Sequence, residues 1–216
     1  MQYLLLLLSL PFSLLRSALC CLLLSLCLVS SASADLNLTQ LTAQLATPQE
    51  LRAHFAQERT MTGFNRTLKA EGTLLISRDH GILWRQNTPF VQNVVIDKRG
   101  ILVDDGSGLK ALSSNNNPQL SSFAHMLKSL FAGDLSTLEQ YFTLELRGTA
   151  QSWQLTLTPR QEPINLIFHN IELHGSSYVE QVTLHDKAGD STHIVFSAFD
   201  PAIKPLSATE AQLFAH

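Results

Sequence analysis

The chain has 216 residues, 45% hydrophobic and 15% charged, with 15 Lys and Arg against 18 Asp and Glu and a formal net charge of −3. That length suits one domain with a sizeable core, and a mildly acidic body with no basic stripe argues against nucleic acid as a partner. All three cysteines, Cys20, Cys21 and Cys27, lie near the N-terminus, so disulfides, thiolate metal sites and a cysteine nucleophile are excluded from the remainder. The first element is a targeting segment. Gln2 to Val29 carries no charged side chain except Arg16 and runs into Ser30-Ser31-Ala32-Ser33-Ala34. Ala32-Ser33-Ala34 is the small-x-small pattern of signal peptidase, so residues 1–34 are expected to be removed before Asp35. A retained membrane anchor is the alternative; Pro11 and Arg16 interrupt the span, and Ser17 to Val29 is short for a bilayer crossing. Residues 35–216 then form one domain.

Leu38, Leu41 and Leu45 recur at helical spacing between Asn37 and Ala46, and Thr47-Pro48 ends the run. Gln49 to His54 reads as a further short helical turn. From Phe55 the period changes to two, with Phe55, Gln57 and Arg59 on one face. A corner at Thr62-Gly63 precedes a strand from Phe64 to Thr73. The alternation continues through Arg66 to Asp105: Leu74 and Ile76 share a face, Leu75 and Ser77 take the other, and Ile82 and Trp84 follow the Asp79-His80-Gly81 turn. After the Thr88-Pro89 corner come Val94-Val95-Ile96 and Ile101-Leu102-Val103, up to Asp105-Gly106.

Ser113 to Pro118 is a loop by composition. Phe123, Met126, Leu127, Leu130 and Phe131 then fall on one helical stripe. Gly133 ends that helix, and Asp134 caps another carrying Leu135, Leu138, Tyr141 and Phe142. Strands resume at Leu144 and Leu146, then Trp153, Leu155 and Leu157 up to Thr158-Pro159. Ile164, Leu166 and Phe168 follow, with Ile171 and Leu173 on the opposite parity. Tyr178 to His185 and His193 to Phe199 pair around Asp186 to Asp190. The expected class is mainly β (α+β): one antiparallel sheet, a leading helix and an inserted helical pair.

Catalysis finds little in these residues. There is no Gly-x-Ser-x-Gly elbow, phosphate loop or His-Glu-x-x-His. His169 with His174 and His185 with His193 lack metal-ligand spacing. No catalytic residue, metal or cofactor is assigned. Arg66, Arg85 and Arg147 read as solvated sheet positions.

The order of these features resembles the LolA family, periplasmic carriers that ferry lipoproteins between two bacterial membranes. The likeness rests on Gly72 before a strand, Arg78 at its end, the aromatic strand with Trp84, the Thr88-Pro89 corner and the strand ending in Asp105-Gly106. Leu155-Thr156-Leu157-Thr158-Pro159 is similar to the family's Leu-Thr-Pro strand end, and Glu180 to Phe196 to its later strands. Two departures stand out: Asp79 replaces the family's Pro after the arginine, and Phe199 to His216 does not reproduce the last strand and loop. The resemblance implies a strongly curved half-barrel sheet whose mouth is covered by a helical lid, here Phe123, Met126, Leu127, Leu130 and Phe131. It also implies that Arg78 is a latch hydrogen-bonding to lid backbone, the alternative being a turn arginine paired with Asp79.

Such a carrier must shield an acyl chain that costs about 0.8 kcal/mol per methylene in water, so about 12 kcal/mol for sixteen carbons. Leu75, Trp84, Trp153, Leu155, Phe168 and Phe196 are the sheet residues assigned to that hydrophobic cavity. The resemblance implies a monomer that takes acylated lipoproteins or other lipids from an inner-membrane donor complex to an outer-membrane acceptor. A lipid-sensing regulatory protein, a carrier of a non-protein lipid product and an enzyme acting on envelope lipids are the competing readings. No second domain is expected after Phe199, which disfavours the sensor.

Overall fold

The period-two runs pair into one 11-stranded sheet. The computed structural model describes residues 35–45, 48–64, 66–111, 129, 134–162 and 164–215, within the unit Asp35–His216. The proposed leader with its cysteines, the Ser113 to Pro118 loop and the proposed lid residues Phe123, Met126, Leu127, Leu130 and Phe131 lie outside the described residues.

In chain order the elements are α1 (Leu38–Leu45), β1 (Glu50–Thr60), β2 (Thr67–Ser77), β3 (Gly81–Thr88), β4 (Gln92–Asp97), β5 (Gly100–Asp104) and β6 (Lys110–Ala111). After them come α2 (Leu135–Leu138), β7 (Phe142–Thr149), β8 (Ser152–Pro159), α3 (Ile164–Ile167), β9 (Phe168–Gly175), β10 (Val179–Asp186), β11 (Ser191–Asp200) and α4 (Ala208–Ala215). The strand order is β6-β5-β4-β3-β2-β1-β11-β10-β9-β8-β7. Each pairing is antiparallel, so the sheet is two meanders joined where the first strand meets the last. The expected class, mainly β with one open antiparallel sheet and few helices, is what forms.

Three local expectations are corrected. Gln49 to His54 does not continue the helix: Glu50–Thr60 is a strand whose Leu51, Ala53 and Phe55 are buried, and pairing on both sides with β2 and β11 overrides local helical preference. Tyr141 and Phe142 leave the capped helix after Leu138, and Phe142 pairs with Pro159. Ile164 to Ile167 is one helical turn that buries Ile164, so β9 begins only at Phe168.

The capping chemistry explains where the helices start. Asn37 and Gln40 exchange side-chain and backbone hydrogen bonds at the start of α1, a reciprocal cap of the box type. Asp134 accepts from the Thr137 N–H and hydroxyl at α2. At the β10–β11 turn, Asp186 accepts from the N–H groups of Ala188 and Asp190, and Asp190 receives Arg59 and the Thr62 N–H. This ties the β1–β2 turn to the β10–β11 turn at one end of the sheet.

The two faces differ. One gathers Leu51, Phe55, Leu74, Ile76, Ile82, Ile96 and Ile101 from the first meander with Trp153, Leu155, Leu157, Leu173, Val182 and Phe196 from the second. Leu41 and Leu45 of α1 and Leu135 and Leu138 of α2 pack into the same cluster. The opposite face buries a smaller set, Leu75, Leu83, Val95 and Leu102, beneath Leu213 of α4. No helix among the described residues is long and apolar enough to cross a membrane.

Candidate functional site

The large apolar face is the candidate site, and its centre is aromatic. Phe55 on β1 pairs with Phe196 on β11 and with Gly72 on β2. The Phe55 ring stacks on Trp84 at a centroid distance of 3.7 Å and 29°, and Trp84 meets Phe196 edge-on at 6.1 Å. Gly72 makes room for this stack. A Cβ there would stand 1.9 Å from the Arg85 carbonyl oxygen and 2.8 Å from the Phe55 ring. The far end of the face has a second aromatic-over-glycine pair, with Trp153 on β8 opposite Gly175 on β9. The Trp153 Nε1–H donates to the Ser176 carbonyl at 2.6 Å. Gln44 of α1 donates to that same carbonyl and to Ala150 O, which fastens α1 over this end of the sheet.

Five of the six sheet residues assigned from sequence share this face. Trp153, Leu155 and Phe196 are buried in its cluster, while Trp84 and Phe168 are partly buried against it. Leu75 is a correction. Trp84 pairs with Leu74, whereas Leu75 pairs with Leu83 on the opposite face. One-residue parity settles the matter, because successive side chains on a strand point to opposite faces. Phe55 was the residue sequence reasoning missed. The visible signal was its place at the head of the alternating run Phe55, Gln57, Arg59, across from the only glycine in β2.

Arg78 is exposed in the β2–β3 turn, and its N–H donates to the Gln49 carbonyl at 3.1 Å. Gln49 in turn donates through its side chain to Asp79 at 2.6 Å. The lid backbone to which a latch would bond lies outside the described residues.

The opposite face is closed by α4 through a charged clasp. Ser207 and Glu210 form a capping box: the Ser207 N–H donates to Glu210 at 2.7 Å, and the Glu210 N–H donates to the Ser207 hydroxyl at 3.3 Å. The other Glu210 oxygen accepts from Arg52 on β1. Burial pushes the Glu210 carboxyl up, but the hydrogen bonds from Arg52 and Ser207 outweigh it and hold the group below its ordinary value of 4.5. A depressed carboxyl stabilises the fold above its unfolded value and loses that contribution as pH falls through the folded one. Loosening of α4 is therefore expected as pH falls below the ordinary carboxylate value. Glu210→Gln should cost about 2 kcal/mol at neutral pH and shrink the loss on acidification. Melting of both proteins between neutral and acid pH checks this, and parallel acid limbs would exclude the clasp.

Among the described residues no group of three or more His, Cys, Asp or Glu could hold a metal ion. Arg66 and Arg147 are exposed. Arg85 is a correction to the solvated reading: it is half-buried, and its Nε is enclosed with no hydrogen-bond partner.

The model of the family described as "Outer membrane lipoprotein carrier protein LolA" matches residues 46–210. The chain is 28% identical over 177 residues to an outer-membrane lipoprotein carrier protein of Methylobacillus flagellatus, covering 80% of this chain and 83% of that one. It is 27% identical over 162 residues to one from Chromohalobacter salexigens, covering 73% of each. The crystal structure of a LolA superfamily protein from Nitrosomonas europaea is similar over 82% of this chain and 95% of that chain, at 11% identity and a TM-score of 0.44.

Proposed function

This chain belongs to the LolA family of outer membrane lipoprotein carrier proteins, and on that premise we propose that it sequesters acyl chains against the Phe55–Trp84–Phe196 face. The observation that carries this reading is the continuity of the apolar face across both meanders, from Ile101 to Phe142. A face of aliphatic and aromatic side chains offers an acyl chain burial without demanding one geometry. Leu41, Leu45, Leu135 and Leu138 occupy part of that face. Loading then exchanges protein–protein apolar contacts for protein–lipid ones, a swap close enough to balance that cargo can leave again.

Within this reading the protein works in the periplasm after removal of residues 1–34. It receives acylated lipoproteins, or a related lipid, from an inner-membrane donor complex and yields them to an outer-membrane acceptor. It acts as a monomeric binding protein with no chemical step. Leaders of this composition direct export, and both curated relatives carry the name of outer-membrane lipoprotein carrier.

The decisive experiment is native mass spectrometry of the mature protein taken from its own periplasm, followed by lipid extraction. A bound acylated species is expected, and its mass separates lipoprotein from free lipid. A clean apo mass with no uptake of offered acyl chains would reduce the apolar face to an ordinary core.

Arg78 is proposed as the latch that favours the closed, empty form, because a guanidinium has five donors for free carbonyls of a lid. Losing one or two such bonds is worth about 1.5–3 kcal/mol. Arg78→Leu should therefore load normally but release cargo about 10- to 100-fold less readily. Handover to acceptor membranes at the native rate would remove Arg78 from the mechanism.

A further inference from the structure

One step along β2 from the buried Leu75 row, the opposite face carries a polar row. His54 pairs with Thr73, Thr73 with Arg85, and Arg85 with Asn93. His54, Thr73 and Arg85, with Arg52, Asp200 and Glu210, line a cavity of ≈ 310 Å³ beside α4, within the size range of small-ligand pockets.

Most charge around this cavity is already matched. Arg52 holds Glu210 and stands 3.9 Å from Glu50. Asp200 is taken by Lys204 and by the Ala202 N–H. Arg85 is different. Among the described residues its side chain has no ion-pair or hydrogen-bond partner, and its Nε is enclosed. The Nε and Nη2 of Arg52 are likewise enclosed without a hydrogen bond. Buried polar groups are nearly always partnered, so the unpaired Arg85 guanidinium on the wall of this cavity favours an acceptor with several oxygens and negative charge.

The cavity wall is also strained. Arg52 pairs with Asp200 while His54 pairs with Ser197, so Ala198 and Phe199 together oppose Ala53 in a β-bulge. Ala198, which lines the cavity, has φ 53, a conformation that a residue with a Cβ seldom adopts. Strain of this kind and bulges both concentrate at ligand sites.

We propose that this cavity binds the phosphate of a small phosphoester, with Arg85 as its principal ligand and His54 and Thr73 completing the donor set. The donors come from three adjacent strands, which suits a tetrahedral group with oxygens in several directions better than a planar carboxylate. The phosphoester is either soluble or the headgroup of a membrane lipid. The site lies on the face opposite the proposed cargo surface and is independent of cargo loading.

The test titrates the mature full-length protein with inorganic phosphate, glycerol 3-phosphate, acetate and phosphatidylglycerol vesicles at constant ionic strength, followed by amide NMR and calorimetry. Glycerol 3-phosphate is expected to bind with Kd below about 1 mM and to shift amides of His54, Thr73 and Arg85. Arg85→Gln should weaken binding at least about 10-fold, and Arg85→Lys should restore part of it. Arg85→Gln should also melt at or above the native temperature, since it removes a half-buried charge that has no partner among the described residues. Arg85-dependent binding to vesicles alone would assign the phosphate to a lipid headgroup. Acetate binding as tightly as phosphate, unchanged binding in Arg85→Gln, a lowered melting temperature for that variant, or no binding by any phosphate probe would each overturn the proposal.

Discussion

Gly72→Val should cost at least about 3 kcal/mol, a large fraction of the stability of a domain of this size. Overpacking usually costs less, because neighbouring side chains can swing away. Here the nearest neighbour is backbone: a Cβ at Gly72 would lie 1.9 Å from the Arg85 carbonyl oxygen, 2.8 Å from its carbon and 2.8 Å from the Phe55 ring. The Arg85 carbonyl belongs to β3, which is held in register by β2 and β4. Between Glu71 and Gly72 the β2–β3 register already slips, since Glu71 pairs with Thr88 and Gly72 with Gln86, so this irregular stretch brings the two backbones together. Even Gly72→Ala should destabilise clearly. Chemical denaturation of Gly72→Ala and of the double variant Phe55→Leu/Gly72→Ala separates the two contacts. If trimming Phe55 rescued the alanine variant, the ring rather than the backbone would be the obstacle, and this account of Gly72 would fail.

The same region shows which parts of the fold were legible in the sequence. Alternation from Phe55 to Val103 gave the strands and the hairpin at Asp79-His80-Gly81, because a half-buried strand writes its two faces into its residues. It also placed Leu74 and Trp84 together and put Leu75 on the other side. Assigning Leu75 to the cavity set that parity aside. Its hydrophobicity answers to a second cover, α4, which buries it with Leu83, Val95 and Leu102. Nothing local announced that cover, because the docking of Leu213 and the Arg52–Glu210 contact joins positions far apart in the chain. The helical reading of Gln49 to His54 fails for a related reason. Leu51 and Ala53 are weak strand signals alone, and only pairing on both sides makes them central. Arg85 shows the limit most clearly: in the sequence it sits among polar residues of an amphipathic strand, and its enclosure depends on what packs nearby.

Trp153 should be the costliest single truncation on the apolar face. It is 2% exposed, it lies over Gly175, and its Nε1–H donates to Ser176 O. Trp153→Ala should lose about 4 kcal/mol through the cavity it leaves. Trp153→Phe should lose about half of that, since a ring remains while one hydrogen bond goes. Gln44 still serves Ser176 O in the phenylalanine variant, so the carbonyl is not stranded and α1 keeps its fastening. Trp84 makes the contrast. It is only partly buried and makes its ring contacts with Phe55 and Phe196, so Trp84→Ala should cost about 2 kcal/mol. The two tryptophans therefore differ in burial, and a pair of variants can test the cargo reading. Under the carrier reading, Trp84→Ala should weaken acyl-chain binding by about 10-fold or more per folded molecule, while Trp153→Phe should bind nearly as the native protein does. Equal loss of binding in both variants, tracking stability alone, would mean that the face holds the protein together without holding a lipid.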